Sequence, residues 1–325
     1  MLQLPSKATT PTMYFIGVTT GQSSIMRIFP IWAKALGLDA CIKGIDITLH
    51  APAEDYRAAV EFIKNDPLSL GALVTTHKID LYNACQDLFD YFDPYALQFG
   101  EVSSISKKDG KLCGHAKDPI SVGLALDAFV PADHWKKYPE AQACVLGAGG
   151  SSLAVCAYLQ NEKHGDCVPA RINMTNRSVP RLAEAIHLLG NSRVPMSFHL
   201  CPKPEWNDLI VEALPEGSIV INATGMGKDR PGSPLTDNCK FPKHGIVWEF
   251  NYRGTLEFMH QAEAQKDERD LQIEDGWTYF IHGWTQVISE VFHIDITGER
   301  LALCDKLARR AGGPRRDRRP PGTRP

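Results

Sequence analysis

Short apolar runs alternate with longer amphipathic segments along most of this chain. Apolar runs bounded by turn residues are typical of buried strands, whereas apolar residues three and four positions apart are typical of helices. In the first part of the chain the pattern predicts strands at 13–18, 41–47 and 70–74, helices at 25–36, 53–64, 81–92 and 118–129, and a hairpin of 102–105 with 111–113. Strands that alternate with helices indicate a parallel α/β layer.

A glycine-rich turn between two apolar runs is the most informative feature of the second part. The apolar run 144–146 is followed by Gly147-Ala148-Gly149-Gly150-Ser151, then by a predicted helix at 153–159 and a predicted strand at 172–174. Glycines let the backbone approach a pyrophosphate, and the helix N-terminus supplies amides and a positive dipole end. This order predicts a dinucleotide-binding unit. Further strands are predicted at 218–222 and 246–250, and a final helix pair within 275–292.

The end of the second strand of this unit indicates which dinucleotide binds. A site for NAD usually carries an acidic residue there, which holds the ribose hydroxyls. This chain has Asn176, Arg177 and Ser178 instead, with Arg181 one turn later. Because guanidinium groups and small hydroxyls suit a 2′-phosphate, the sequence favours NADP over NAD.

The composition allows two domains with proper cores, because 325 residues with 43% hydrophobic content are enough for both. The formal net charge is −3, but the segment 309–325 holds seven Arg and one Asp, so the rest carries −9. An acidic body argues against nucleic acid as the main partner. The basic segment 309–325 is rich in Pro and Gly and is expected to be a disordered tail.

Nine cysteines are scattered along the chain, with no CxxC pair and no Cys/His cluster at zinc spacing. This usage fits reduced thiols, and no metal site is predicted. The first residues do not resemble a signal peptide, and no apolar run approaches the ~20 residues of a membrane span. We therefore expect a cytoplasmic monomer or homodimer that acts on a small molecule.

Nine short segments resemble, in order, the motifs of the shikimate/quinate dehydrogenase family, and they extend over roughly residues 14–296. They are Thr20-Gly21-Gln22-Ser23-Ser24, Val74-Thr75-Thr76-His77-Lys78, Gly100-Glu101-Val102-Ser103-Ser104, Gly114-His115-Ala116-Lys117-Asp118, Gly147-Ala148-Gly149-Gly150, Asn176-Arg177-Ser178, Asn222-Ala223-Thr224, Glu249-Phe250-Asn251-Tyr252 and Asp275-Gly276. Single motifs are weak signals, but this many in order are hard to obtain by chance.

The resemblance implies a two-domain α/β fold with the active site in the cleft between the domains. A substrate domain would cover 12–117 and be completed by helices within 275–308, and a Rossmann NADP domain would cover 118–274. It also implies an NADP-dependent alcohol dehydrogenase that interconverts a ring hydroxyl and a ketone, a step of aromatic amino acid biosynthesis in the family.

Lys78 and Asp118 match the acid/base pair of the family. The oxidation of a carbinol requires removal of the hydroxyl proton as the hydride leaves, and Lys78 would exchange that proton while Asp118 orients it. Since lysine has an ordinary pKa of about 10.4, we expect the environment to lower the pKa of Lys78.

Further contacts follow from the resemblance alone. It implies cofactor contacts at Ala223, Thr224, Met226, Tyr252 and Gly276. It implies substrate contacts at Ser23, Thr75, Ser103, Lys117, Tyr252 and Gln286.

The expected substrate site departs from the family pattern. Ile25 stands at the second serine of the carboxylate clamp, Ser103 at the hairpin Asn, and Gly283 at the Gln of the last helix. A buried polar site that loses its partners binds its former ligand far less tightly. We therefore do not expect shikimate to be the best substrate, and a related cyclic polyol or its ketone is the alternative. Replacement binding groups could come from His77, His115, Lys117, His282 and Trp284.

Two other functions are compatible with the sequence. The altered clamp fits a regulatory relative that binds a nucleotide or metabolite with little turnover. A methylene-folate dehydrogenase has a similar two-domain build and also uses a lysine. The intact Lys78 and Asp118 argue against the first, and the Asn-Arg-Ser element with the final Asp-Gly argues against the second.

Overall fold

The computed structural model describes residues 2–228 and 230–313. Two six-stranded sheets, each flanked by helices, account for most of this part of the chain. The first sheet contains β1 (Thr12–Gly17), β2 (Cys41–Asp46), β3 (Ser69–Val74), β4 (Tyr91–Phe92), β5 (Ser104–Lys108) and β6 (Lys111–His115). Its helices are α1 (Ile25–Leu36), α2 (Ala53–Asn65), α3 (Lys78–Cys85) and α4 (Pro94–Phe99), with short 3-10 turns at Thr20–Gln22 and Gln86–Leu88.

The first sheet is mixed, with strand order β2-β1-β3-β5-β6-β4. Strand β1 pairs in parallel with β2 and β3, whereas β5 runs antiparallel to both β3 and β6. Strands β5 and β6 form a hairpin because Asp109 and Gly110 both adopt a positive φ at the turn.

The second sheet is parallel throughout, with strand order β12-β11-β10-β7-β8-β9. Its strands are β7 (Ala143–Leu146), β8 (Ile172–Asn176), β9 (Met196–Leu200), β10 (Ile219–Asn222), β11 (Ile246–Glu249) and β12 (Gln272–Glu274). Its helices are α5 (Asp118–Phe129), α6 (His134–Lys137), α7 (Gly150–Leu159), α8 (Val179–Leu189), α9 (Pro204–Glu212), α10 (Glu257–Glu263) and α11 (Lys266–Arg269), with a 3-10 turn at Glu162–His164.

The direction of strand addition in the second sheet reverses beside β7. The chain runs outward from β7 to β8 and β9, then returns to place β10 on the other side of β7. The loops after β7 and β10 therefore diverge and leave a crevice at the carboxyl ends of these strands. Such a switch point is where open α/β sheets bind their ligands.

Two C-terminal helices, α12 (Trp277–Phe292) and α13 (Gly298–Arg310), return to the first sheet. On α12, Trp284 packs edge-on against Phe15 of β1, with ring centroids 5.0 Å apart. Trp32 of α1 donates a hydrogen bond of 2.8 Å to the Cys304 carbonyl of α13. The last helices thus share one apolar core with β1 and α1. The domain bounds 12–117, 275–308 and 118–274 stay predictions.

Several predicted elements match the structure closely because their signals are local. Helix α1 covers 25–36 as expected and ends at Gly37, whose φ of 72° is the left-handed conformation that glycine favours. Helix α5 covers 118–129 as expected, since Pro119 at the first turn suits a helix start.

The helix predicted at 81–92 is wrong in both of its bounds. Helix α3 begins at Lys78 and ends at Cys85, and β4 and α4 follow. The Asp93 side chain accepts a hydrogen bond of 2.7 Å from the Ala96 amide and so starts a separate helix. The apolar pattern was carried by residues of three different elements.

Two predictions about the C-terminal part also need correction. The segment 275–292 contains one helix, α12, rather than a pair. The disordered tail expected at 309–325 is wrong for its first residues, because Arg309 and Arg310 complete α13, where Arg309 pairs with Asp305 at 3.0 Å. The segment 314–325 lies outside the described residues. The pattern also missed α8, β9 and α9.

No helix in the described ranges combines the length and apolar character that crossing a membrane requires.

Candidate active site

A cavity of about 520 Å³ lies between the two sheets. Its walls come from the carboxyl ends of β1 and β3, from the loop after β11, and from the first turns of α3, α5 and α12. The carboxyl ends of both sheets therefore face one space, as a site between two α/β domains requires.

Lys78 and Asp118 meet in the wall of this cavity. Each lies in the first turn of its helix, α3 or α5, and the Lys78 Nζ donates a hydrogen bond to the Asp118 Oδ2. Their side chains are 19% and 9% exposed. Thr76, in the turn before α3, has a φ of 62°, which is unusual for a β-branched residue and marks a constrained backbone next to Lys78.

The pKa of Lys78 moves in the opposite direction to the one that we expected from the sequence. Burial lowers the pKa of Lys78, but the carboxylates of Asp118 and Glu101 outweigh burial, and the net effect is a raised pKa. The expectation of a lowered pKa is thus wrong, because it did not count two nearby anions. Lys78 is therefore poised as a proton donor.

Glu101 is a buried carboxylate that the sequence analysis did not assign to the site. Only 3% of the residue is exposed. Burial raises the pKa of Glu101 to about 7, the charges of Asp118 and Asp93 add to this, and Lys78 opposes it. The available signal was one charged residue within the otherwise uncharged motif at 100–104.

Tyr279 is a second site residue that the sequence analysis missed. It lies on α12, lines the cavity and interacts with the side chain of Ser151 on α7. Burial raises the pKa of Tyr279, and Asp118 raises it further against the effect of Lys78. The phenol therefore stays protonated and offers a hydrogen-bond donor beside the acid/base pair.

The glycine turn after β7 has the geometry of a nucleotide cradle. Gly147 has a φ of 113°, and a Cβ at this position would lie 2.9 Å from the Ala223 carbonyl oxygen. At Gly149 a Cβ would meet no atom within 4 Å, so the turn is open on that side. No side chain caps the N-terminus of α7, which leaves its first amides for a ligand. The residues present therefore fit a dinucleotide diphosphate. Ala148 also belongs to this turn, and Ser151 lies in the first turn of α7.

The predicted 2′-phosphate residues lie together at the end of β8. The Asn176 Oδ1 accepts a hydrogen bond of 2.9 Å from the Ser178 amide and fixes the turn. Arg177 is exposed beside it, whereas the Arg181 guanidinium pairs with Glu184 at 2.5 Å. The arrangement supplies one exposed guanidinium and one that already has an anionic partner.

A buried polar network holds the loops after β10 and β11. The Asn222 Oδ1 accepts from the Thr224 hydroxyl at 2.6 Å, and the Asn222 Nδ2 donates to Glu249 at 2.7 Å. Asn251 donates to both Glu249 and the Met226 carbonyl, at 2.6 and 3.1 Å. The network fixes the loops that carry the predicted cofactor residues. Among these residues, Tyr252 and Gly276 line the cavity.

The predicted substrate residues divide into two groups. Ser23, Thr75, Ser103 and Tyr252 line the cavity, whereas Lys117 and Gln286 are not among its lining residues. The pattern could not decide this, because it depends on the rotation of α12 and on partners distant in sequence.

Lys117 instead forms an ion pair with α12. Its Nζ donates to Glu290 at 2.6 Å, and His115 lies 3.2 Å from the same carboxylate. The Glu290 pKa is lowered: burial opposes this, but Lys117 and His115 outweigh it. Neither Lys117 nor His115 therefore replaces the lost clamp in this structure.

The other departures from the family pattern have clear structural consequences. Ile25 is fully buried in the core, so the second clamp position is lost. At Gly283 an added Cβ would meet no atom within 4 Å, so the missing Gln leaves open space in the cavity. His77 and His282 are buried and do not line the cavity, whereas Trp284 does.

Two basic residues that the sequence analysis did not single out, Lys228 and Arg253, also line the cavity. They lie on the loops after β10 and β11. Within 2–228 and 230–313, no cluster of three or more potential metal ligands occurs.

Comparison with known proteins finds relatives and solved structures that match most of the chain. No protein-family model matches the chain. A shikimate dehydrogenase (NADP(+)) of Brucella abortus (strain S19) is 26% identical over 260 residues, which cover 78% of this chain and 79% of the relative.

Solved structures match over nearly the whole chain. Shikimate 5-dehydrogenase from Thermus thermophilus, in complex with NADP(H) and shikimate, matches with a TM-score of 0.68 at 20% identity, over 92% of this chain and 99% of the other. The 5-ketofructose reductase of Gluconobacter sp. strain CHM43 also matches with a TM-score of 0.68, at 17% identity, over 93% and 98%. The expected α/β fold of two domains, one of them Rossmann-like, is confirmed.

Proposed function

We propose that this chain, a member of the shikimate/quinate dehydrogenase family, is an NADP-dependent oxidoreductase that interconverts a hydroxyl and a ketone of shikimate or a related cyclic polyol. The observation that carries the proposal is the Lys78–Asp118 pair, which lies in a cavity bordered by the first sheet and by loops of the dinucleotide-binding sheet. An alcohol dehydrogenase needs this combination, because oxidation removes a proton from the hydroxyl and a hydride from the carbon, and each needs its own acceptor.

NADP, when bound, supplies or accepts the hydride. The turn Gly147–Ser151 would hold its diphosphate, and Arg177 would meet its 2′-phosphate. Lys78 donates a proton to the carbonyl oxygen during reduction, and Asp118 holds the ammonium in place and balances its charge. In the reverse direction Lys78 receives the hydroxyl proton.

The resting protonation of the site favours reduction of a ketone. Because its anionic neighbours raise the pKa of Lys78, the ammonium form predominates near neutral pH. An ammonium can donate at once, whereas oxidation first requires that a proton be lost. We infer that Lys78 can donate a proton throughout the neutral range and that oxidation gains as pH rises.

The cavity lacks the full carboxylate clamp of the family and favours a hydroxylated substrate. Ser23, Thr75 and Ser103 supply hydroxyls, while Phe280 and Trp284 supply apolar walls. Gly283 leaves space that a bulkier group could occupy. The structural likeness to a 5-ketofructose reductase supports the inclusion of neutral polyols and their ketones. The regulatory alternative has no observation in its favour.

The nine cysteines are all free thiols, which supports a reducing compartment such as the cytoplasm. Monomer and homodimer remain the expected oligomeric states.

The test is absorbance of reduced nicotinamide with purified protein, with NADP and NAD in parallel. The panel contains shikimate, quinate, cyclitols and 5-ketofructose, each offered in the appropriate redox state. We expect turnover with NADP that Lys78→Ala lowers by orders of magnitude while NADP binding persists. Wild-type turnover in Lys78→Ala would refute the proposed role of the pair.

A further inference from the structure

Glu101 lies against the first residue of the helix that would hold the cofactor diphosphate. A Cβ built on Gly150 would come within 2.9 Å of the Glu101 Oε2, so the carboxylate contacts the backbone where α7 begins. This contact accounts for the glycine at 150, since a side chain there would displace the carboxylate.

The same carboxylate is coupled to the acid/base pair. The charged and titratable groups that face it are Lys78 from α3, Asp118 from α5, Asp93 before α4 and Tyr279 from α12. Helix α7 carries no charged side chain, and its first residue, Gly150, lies against the carboxylate. The Lys78 ammonium therefore interacts with two carboxylates. It donates a hydrogen bond to Asp118 and interacts with Glu101 through charge alone.

A diphosphate that binds at the start of α7 would bring further negative charge toward a carboxylate that is 3% exposed. Like charges that share a poorly solvated site favour protonation of the weaker acid. Burial and Asp118 already raise the pKa of Glu101 to about 7, so its proton occupancy responds to a small added charge near neutral pH.

We propose that Glu101 takes up a proton from solvent when the dinucleotide binds, so that this carboxyl links cofactor affinity to pH. The inference rests on the proposed function, since it requires a dinucleotide at Gly147–Ser151. The sign follows from linkage: a group whose pKa rises on binding takes up protons, and affinity falls as pH rises through the pKa of the free protein. One carboxyl limits the change to tenfold per pH unit.

The experiment measures proton exchange directly. NADP is titrated calorimetrically into the full chain at pH 7.5 in two buffers of different ionisation enthalpy, and the heat difference gives the protons taken up. We expect the wild type to take up a substantial fraction of one proton more than Glu101→Gln. The titration of the cofactor's own phosphate cancels in this difference, because both proteins receive the same ligand.

The affinity should change in parallel. At pH 8.5 Glu101→Gln should bind NADP several-fold more tightly than the wild type, and near pH 6 the two should agree within about twofold. Glu205→Gln, which removes an exposed carboxylate on α9, is the matched control and should follow the wild type. Circular dichroism verifies folding, and Glu101→Ala serves as the second variant.

The outcomes separate the two proposals. If the folded wild type fails to bind NADP, the proposed function falls and this inference falls with it. If the wild type binds NADP and both Glu101 variants exchange protons as the wild type does, the inference is wrong and the proposed function stands.

Discussion

The ion pair between Lys78 and Asp118 predicts a stability cost for Asp118→Asn that can be worked from the structure. Both side chains are less than a third exposed, at 19% and 9%, so solvent screens their interaction only weakly. Removing one partner of a buried pair typically costs about 3–5 kcal/mol. Because Glu101 remains as a second anion near Lys78, we expect the lower end of that range, about 3 kcal/mol.

A loss of this size lowers the melting temperature by roughly 4–10 °C in a protein of this size class. The measurement is thermal denaturation followed by circular dichroism, with the activity of the same samples alongside. Activity should fall by about 10²–10⁴-fold, because the proton donor loses the group that orients it.

The double variant Lys78→Met with Asp118→Leu separates stability from chemistry. Replacing a buried ion pair by apolar residues is often neutral or stabilising, and the raised pKa of Glu101 lets that carboxyl become neutral once Lys78 is gone. This variant should therefore melt near the wild type and have no activity. Were Asp118→Asn to melt within about 1 °C of the wild type, the two groups would not be paired in solution, and our account of the cavity wall would fail.

Three further predictions concern the cofactor turn, the α12 ion pair and the 2′-phosphate. Gly147→Ala should weaken NADP binding at least tenfold and destabilise the fold by about 1–3 kcal/mol. The reason is that φ is 113° at this residue and the added Cβ would lie 2.9 Å from the Ala223 carbonyl oxygen. Calorimetry tests the binding, and denaturation tests the stability. Glu290→Gln should lower the free energy of unfolding by about 1–2 kcal/mol. It should leave kcat nearly unchanged, because Lys117, the partner of Glu290, does not line the cavity. Since the pKa of Glu290 is lowered on folding, that stabilisation is present above its unfolded pKa and is lost as pH falls through the folded value, so urea titrations of wild type and variant should converge in acid. Arg177→Ala should reduce the NADP/NAD preference more than Arg181→Ala does, because the second guanidinium is already paired; relative kcat/KM values decide it.

The local features of the fold could be predicted from the sequence because their causes lie within a few residues. Helix α1 ends at Gly37, and α5 begins beside Pro119, as each residue's backbone preference requires. The helix predicted at 81–92 failed because one apolar pattern continued through the end of α3, a 3-10 turn at Gln86–Leu88 and the short strand β4. Periodicity reports which face is buried and does not report which element carries it.

The candidate site divides along the same line. The glycine turn and the order of motifs indicated the dinucleotide unit. The motifs also identified Lys78 and Asp118 as the candidate acid/base pair, although they are 40 residues apart. The sequence could not give the pKa of Lys78, since that pKa depends on carboxylates from separate elements. It also could not show that Lys117 turns toward Glu290, 173 residues later.

The sequence by itself determined the alternation of strands and helices, the nucleotide turn and the residue types available for acid/base chemistry, because these depend on local backbone preferences and on composition. Only the tertiary structure decided which charges meet. It buried Glu101 against Gly150 and beside Lys78, brought Tyr279 to the cavity and left Lys117 outside. Electrostatic energies depend on distance and solvent exposure, and both quantities are fixed only when the chain has folded.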